Sequence, residues 1–274
     1  MKYKIVADSG CDLTPELKKE SIDIVPLTMS LGSKTYVDDE NLDVESFMAD
    51  MHAYKHQPKS SCPSPYDFME KCDKEKTTFI VTLSSKLSGS YASASMAKDM
   101  LTEQGVDSYV FDSKSASAGQ LLIVHKLHEL IAGGLGKLDI IKKIEDFIDN
   151  MKTVFVLDNL DNLIKNGRMS KVTGIIAGAL NIKLLLKSDG HGEIALYSKA
   201  RGIQNSIVKL AETIGEMCRD TTGRILAITH CNSKHIDMFK SIVKEKYSFS
   251  DIIVAPTKGL TGMYANTGGI IASF

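Results

Sequence analysis

The chain has 274 residues, 43% of them hydrophobic and 24% charged, which is average for a globular protein and excludes disordered and collagen-like architectures. Its 33 basic residues are balanced by 34 acidic ones, so no positive excess is available for a nucleic-acid backbone. No apolar run approaches the ~18 residues of a membrane span, and the N-terminal apolar run is too short for a signal peptide. We therefore expect a cytoplasmic protein with no nucleic-acid partner and no stable membrane insertion.

The first half alternates short β-rich runs with longer amphipathic runs. We predict strands at residues 2–7, 22–31, 78–83 and 108–111, with Pro26 favouring an edge or a bend in the second of them. Helices are predicted to begin at Thr14 and after Ser64, and to span residues 44–54, 91–102, 118–131 and 138–151. This alternation is typical of a parallel α/β sheet.

The second half changes character. We predict strands at residues 153–157, 225–229 and 252–255, and a hairpin of residues 182–187 with 194–198. Helices are predicted at residues 172–180, 203–218 and 235–247, and the glycine-rich segment 259–269 is predicted to be a loop. The pattern indicates an α/β protein of two domains: an N-terminal parallel α/β domain over residues 1–155 and a C-terminal mixed-sheet α+β domain over residues 156–274.

Two clusters of hydroxyl side chains form the strongest functional signal. The first is SSCPS at residues 60–64, and the second is SSKLSGS at residues 84–90, directly after the predicted buried strand. Both lead into helices, whose free N–H groups and positive dipole end suit an anion. Gly89 would allow close approach to the backbone, and Arg168 could fold over a pocket. The residues alone leave two interpretations open, helix capping or anion binding.

Signatures of catalysis and metal binding are weak. The chain lacks a G-x-S-x-G elbow and a phosphate-binding G-x-x-x-x-G-K-[ST] loop. A serine nucleophile would need a general base, for which His230 and His125 are the available candidates. No histidine or cysteine spacing matches a known metal motif. We expect no catalytic residue, metal or cofactor, and keep a serine-nucleophile hydrolase or transferase as the alternative.

Four motifs in order resemble the DegV family of bacterial fatty-acid-binding proteins. They are KIVADSGCDL at residues 4–13, SSCPS at 60–64, LSSKLSGSY at 83–91 and NGRMS at 166–170. The resemblance implies a long-chain fatty acid held between two domains, and a separate fatty-acid kinase that converts it to acyl phosphate. The chain would then be a lipid-binding carrier subunit rather than an enzyme.

The resemblance also implies roles for particular residues. Ser60 and Ser88 would hold the fatty-acid carboxylate, with Ser61 and Gly89 as neighbours in the same site. Arg168 would face the head group and the added phosphate, and the small-residue helix at residues 172–180 could leave room for the acyl tail.

One motif departs from the family pattern. The family usually has H-x-G-P-G near its C-terminus, whereas this chain has YANTGGI at residues 264–270, which puts Asn266 in the place of the histidine as a head-group contact. Asparagine can donate a hydrogen bond but cannot become a cation. We therefore also keep the alternative of a lipid sensor that binds fatty acid but no longer serves a kinase.

Overall fold

The computed structural model describes residues 2–20, 22–169 and 181–274. Its strands are β1 Tyr3–Asp8, β2 Ile22–Val25, β3 Thr28–Leu31, β4 Lys34–Val37, β5 Lys59–Ser61, β6 Thr77–Thr82, β7 Ser108–Asp112, β8 Thr153–Val156, β9 Ile182–Ser188, β10 Ile194–Arg201, β11 Ile225–His230, β12 Asp251–Pro256 and β13 Ile270–Ser273. Its α-helices are α1 Val44–Ala53, α2 Pro65–Lys71, α3 Ser90–Glu103, α4 Ala118–Ala132, α5 Lys137–Asn150, α6 Asp161–Lys165, α7 Ile203–Met217, α8 Ile236–Lys246 and α9 Gly259–Ala265.

The strands form three sheets. The first sheet is parallel, in the order β2-β1-β6-β7, and a small antiparallel sheet has the order β4-β3-β5. The six-stranded sheet has the order β10-β9-β8-β13-β11-β12 and is mixed, because only its β11–β12 pair is parallel. This arrangement confirms the predicted fold class, a parallel N-terminal sheet followed by a mixed C-terminal sheet. The domain limits at residues 155 and 156 stay a prediction.

Helix α4 lies between the two larger sheets. It packs against β1 and β6 on one side and against β11 and β13 on the other. Every residue from Ala118 to Val124 is buried, as expected for a helix covered all round its circumference. The largest hydrophobic cluster therefore joins both halves of the chain, from Ile5 in β1 to Ile271 in β13.

The carboxyl ends of the parallel strands bring three loops to one edge of the first sheet. They follow Asp8 in β1, Thr82 in β6 and Asp112 in β7. The chain leaves β1 for β2 on one side and returns to β6 on the other, so the crevice between β1 and β6 is a topological switch point. Ligands of open α/β sheets bind at such points, which makes this edge the place to look for a site.

Three predictions of local structure were wrong. The single strand predicted at residues 22–31 is two strands of different sheets, β2 and β3, although the break between them does fall at Pro26, where an edge or a bend was expected. The helix predicted from Thr14 is only a 3-10 turn at Leu17–Lys19, in which the Leu17 amide donates to the Thr14 hydroxyl over 3.3 Å. The predicted loop at residues 259–269 contains the buried helix α9. The helix predicted at residues 172–180 and Ser170 lie outside the described residues.

Within residues 2–20, 22–169 and 181–274, no helix combines the length and the apolar character that a bilayer span needs.

Candidate functional site

A cavity of about 410 Å³ lies where the loops after β6 and β7 face the six-stranded sheet. Its size falls within the roughly 300–1,000 Å³ of small-molecule sites. Apolar side chains from both halves of the chain line it, among them Leu83, Phe155, Leu157, Ile194, Leu260 and Ile271. An elongated apolar ligand would therefore be enclosed by both sheets at once.

One wall of the cavity carries the polar residues that the sequence singled out. This polar wall consists of Ser60, Ser61, Ser88, Gly89 and Arg168. Two hydroxyl clusters separated by more than twenty residues thus meet at a single cavity. The structure brings together every proposed site residue except Asn266.

Asp8 shapes the loop that presents Ser88. Its buried carboxylate accepts hydrogen bonds from the Leu83 amide over 2.8 Å, the Ser90 hydroxyl over 2.5 Å and the Gln120 amide group over 2.9 Å. Burial raises the pKa of Asp8, while these hydrogen bonds oppose that rise. The carboxylate therefore ties the end of β6, the start of α3 and helix α4 to the end of β1.

Gly89 lets the two hydroxyl clusters touch. A Cβ added at Gly89 would lie 3.0 Å from the sulfur of Cys62, which is closer than ordinary van der Waals contact. The next segment is anchored by Ser64, which caps α2 with a complete capping box. The end of β5 and the anchored segment that follows it consequently hold Ser60 and Ser61 against the loop of Ser88.

Arg168 is held in place by backbone carbonyls. Its Nε donates to the Leu87 carbonyl over 3.2 Å, and Nη1 donates to the Asn166 carbonyl. Gln57 also donates to the Lys165 carbonyl over 2.8 Å, so the segment before Ser60 rests on the segment before Arg168. The arginine therefore belongs to the cavity wall rather than to the open surface.

The side chain of Asn266 contacts His52 rather than the cavity. It is not among the described residues that line the cavity, and its side-chain oxygen lies 2.9 Å from Nε2 of His52 on α1. The same oxygen accepts the Thr267 amide over 3.1 Å. Its assignment as a head-group contact stays a prediction.

Tyr264 is a cavity residue that the sequence analysis did not identify. Its hydroxyl oxygen lies 2.9 Å from the Ser60 hydroxyl oxygen, and its ring is half-buried in the wall. The helix that carries it, α9, begins against Asp38, whose carboxylate accepts the Gly259 and Leu260 amides over 3.0 and 3.1 Å. Because segment 259–269 was predicted to be a loop, no helical face was available to place Tyr264.

The general base that a serine-nucleophile enzyme would need is not found among the described residues of this cavity. Neither His125 nor His230, the two proposed general bases, is among the described residues that line it. Burial lowers the pKa of each imidazole. In the described part of the chain, no group of three or more histidine, cysteine, aspartate or glutamate side chains is placed to hold a metal ion.

The turn of the β9–β10 hairpin joins the two halves beside the cavity. The Ser84 hydroxyl donates to the Gly192 carbonyl over 2.8 Å, and the Ser188 hydroxyl donates to the Lys114 carbonyl over 3.0 Å. Three of these residues, Lys114, Ser188 and Gly192, line the cavity. The turn therefore closes one side of it.

Comparison with known proteins finds full-length relatives that share this fold. The chain is 36% identical over 280 residues to a DegV domain-containing protein of Streptococcus pneumoniae, covering 100% of this chain and 99% of the relative. A DegV family structure from Ruminococcus gnavus, refined with vaccenic acid, is 35% identical with a TM-score of 0.95 and 100% coverage of both chains. The Fatty Acid Kinase (Fak) B3 protein of S. pneumoniae, loaded with linoleic acid, is 34% identical with a TM-score of 0.92, covering 100% of this chain and 99% of its own.

A family model described as "uncharacterised protein, DegV family" matches residues 2–273. With the full-length relatives and the shared fold, this shows that the chain belongs to the DegV family.

Proposed function

We propose that this chain binds a long-chain fatty acid in the cavity, with the carboxylate at the polar wall, and presents that carboxylate to a separate fatty-acid kinase. The observation that carries the proposal is the meeting of the two hydroxyl clusters and Arg168 at one wall of a cavity whose surface is mostly apolar. Fatty acids named in the similar structures from R. gnavus and S. pneumoniae support it.

The chemistry of the wall suits a carboxylate. Hydroxyl donors make charge-assisted hydrogen bonds to it, which are roughly twice as strong as neutral ones. The acyl chain adds about 0.8 kcal/mol for each methylene removed from water. A chain of ~16 carbons therefore contributes roughly 11 kcal/mol, which is comparable with the cost of association of about 4–15 kcal/mol, and the carboxylate contacts add to it.

Phosphoryl transfer would be supplied by the kinase. The polar wall offers hydroxyls and an arginine, and the sequence lacks the glycine-rich phosphate-binding motif that would hold a nucleotide. Similarity to the Fak B3 protein supports a kinase partner. Arg168 would then stand beside the phosphate as well as the carboxylate.

The binding step is tested by extracting lipid from the purified protein and identifying it by mass spectrometry. We expect close to one long-chain fatty acid per chain. Ala116 lines the cavity, so Ala116→Phe would place a ring in it and should abolish the bound lipid. Ala92 is exposed on α3, so Ala92→Phe makes the same change elsewhere and should leave the lipid in place. A wild-type protein without lipid and without affinity for oleic acid would contradict the proposal.

The hand-off step is tested by incubating the oleic-acid-loaded protein with ATP and a fatty-acid kinase, and trapping acyl phosphate as the hydroxamate. Formation of the hydroxamate supports the carrier role. A loaded protein that yields none would favour the lipid sensor, for which Asn266 in place of histidine is the specific observation.

A further inference from the structure

We propose that Tyr264 sets the head-group selectivity of this site by donating its phenolic hydrogen to the Ser60 oxygen, which commits the Ser60 hydrogen to an anionic acceptor. This inference rests on the proposed function and goes beyond it, because it assigns selectivity to Tyr264, a residue to which the family resemblance gives no role. The geometry behind it is the 2.9 Å separation of the two hydroxyl oxygens at the cavity wall.

The direction of that hydrogen bond follows from the two groups. A phenol is more acidic than an aliphatic alcohol and is the better donor, so the favoured arrangement has Tyr264 donating and Ser60 accepting. Ser60 then has one hydrogen left to donate, and the acceptor that we propose for it is the anionic head group of the ligand at the polar wall. The hydrogen bonds from Tyr264 to Ser60 and from Ser60 to the ligand would strengthen each other, and this effect is largest when the final acceptor is charged.

The second serine of the wall is arranged in the same way. The oxygen of Ser88 accepts the Ser90 amide over 3.2 Å, so its hydrogen is also free to donate. Both serines therefore receive a hydrogen bond from a neighbouring group and have a hydrogen to offer. Two converging donors fit a carboxylate, which only accepts, better than an alcohol, which also needs an acceptor.

The neighbouring polar groups cannot replace Tyr264 in this role. The side-chain oxygen of Asn266, two residues further along the chain, is hydrogen-bonded to His52 and to the Thr267 backbone amide. Two nitrogens of Arg168 already donate to backbone carbonyls. Tyr264 is thus the side chain that the structure places in hydrogen-bond contact with Ser60.

The test compares oleic acid with oleyl alcohol, which share the tail and differ in the head group. Tyr264→Phe removes the hydroxyl and keeps the ring in the wall. We expect it to weaken binding of oleic acid about 5–10-fold, which lies within the range for the loss of one hydrogen bond, and to change binding of oleyl alcohol less than ~2-fold. Loss of a purely structural contact would weaken both ligands equally.

The matched control is Tyr66→Phe, since Tyr66 is 65% exposed and does not line the cavity. Ser60→Ala supplies the second test: because Tyr264 acts through Ser60, the double variant should bind oleic acid no more weakly than Ser60→Ala alone. An unchanged acid-to-alcohol ratio in Tyr264→Phe, or additive effects in the double variant, would overturn the inference. A wild-type chain that binds no oleic acid would overturn the proposed function and this inference with it.

Discussion

At the scale of single residues, the hydroxyl oxygens of Ser60 and Ser88 in the polar wall are already engaged in hydrogen bonds with neighbouring groups. Ser88 illustrates this, because its oxygen is occupied by the Ser90 amide while its loop is fixed through Ser90 and Leu83 to the buried carboxylate of Asp8. A donor held in this way binds an anion without first being reoriented. The loss of entropy on binding is correspondingly small.

Ser88→Ala should weaken fatty-acid binding by roughly 1–3 kcal/mol, because the carboxylate would lose one of its donors in a partly dry site. Displacement of a fluorescent fatty acid measures the effect. Ser85→Ala is the matched control in the same loop, since Ser85 is exposed and outside the cavity lining. Equal affinities for wild type and Ser88→Ala would remove Ser88 from the binding site.

Sequence patterns were sufficient to locate five of the proposed site residues. The hydroxyl clusters and the turn before Arg168 stand out in the sequence, and the family resemblance then selected Ser60, Ser61, Ser88, Gly89 and Arg168 within them. Tyr264 carries no such signal, because it stands in a glycine-rich stretch that has weak helix propensity. That stretch is helical because of its packing in the folded chain, and only the helix places Tyr264 at the cavity.

At the scale of elements, close packing of small residues explains what local propensity could not predict. A Cβ at Gly259 would lie 2.4 Å from Leu42 and 2.8 Å from Met29, and one at Gly262 would lie 3.0 Å from Met48. A larger residue at either position would therefore push against a neighbouring side chain where α9 meets the small sheet and α1. The amphipathic helices α5 and α7, by contrast, were predicted closely, since their apolar faces repeat at the helical period.

The turn of the β9–β10 hairpin provides a test at this scale. Gly192→Ala should destabilise the protein by about 1–3 kcal/mol more than Gly190→Ala. Both glycines have positive φ, at +94° and +89°, so the backbone strain is common to the two variants. Only at Gly192 would the Cβ collide with another group, lying 2.2 Å from the Ser84 hydroxyl.

Urea unfolding of the two variants measures this difference, and lipid extraction shows whether the cavity stays closed. We expect Gly192→Ala to lose bound lipid as well as stability, because its collision pushes the hairpin turn away from the loop of Ser84. Gly190→Ala should retain the lipid. Equal stability of the two variants would mean that the turn is not a tight junction between the halves.

At the scale of the whole molecule, a buried network around Asp12 connects the two halves behind the cavity. The Asp12 carboxylate accepts the Lys258 amide over 2.7 Å and the Ser117 hydroxyl over 2.6 Å. Ser117 in turn lies 2.6 Å from the hydroxyl of Thr229 in β11 of the six-stranded sheet. The loop after β1 is thereby joined to α4, to the start of α9 and to the opposite sheet. No pattern in the sequence pairs residues so far apart.

Burial raises the pKa of Asp12 to about 7, and the hydrogen bonds from Ser117 and Lys258 oppose that rise without cancelling it. Because the folded pKa lies above the unfolded value of 3.8, the folded chain binds the proton more tightly than the unfolded chain does. The stabilisation is complete below the unfolded pKa and is lost as the pH rises through the folded pKa. Asp12 should therefore make the protein less stable at about pH 8 than at about pH 5.5.

Asp12→Asn tests this linkage, because the amide resembles the protonated carboxyl: its oxygen can accept the Lys258 amide and its nitrogen can donate to Ser117. The fall in unfolding free energy between about pH 5.5 and pH 8 should be roughly 2 kcal/mol smaller in this variant than in wild type.

The control is Asp99→Asn, at an exposed position on α3, which should show the same fall in unfolding free energy as wild type. Urea unfolding of the three proteins at both pH values measures the difference. Equal pH dependence in wild type and Asp12→Asn would show that Asp12 is ionised in the folded chain throughout this range, and that the network joins the halves as a carboxylate.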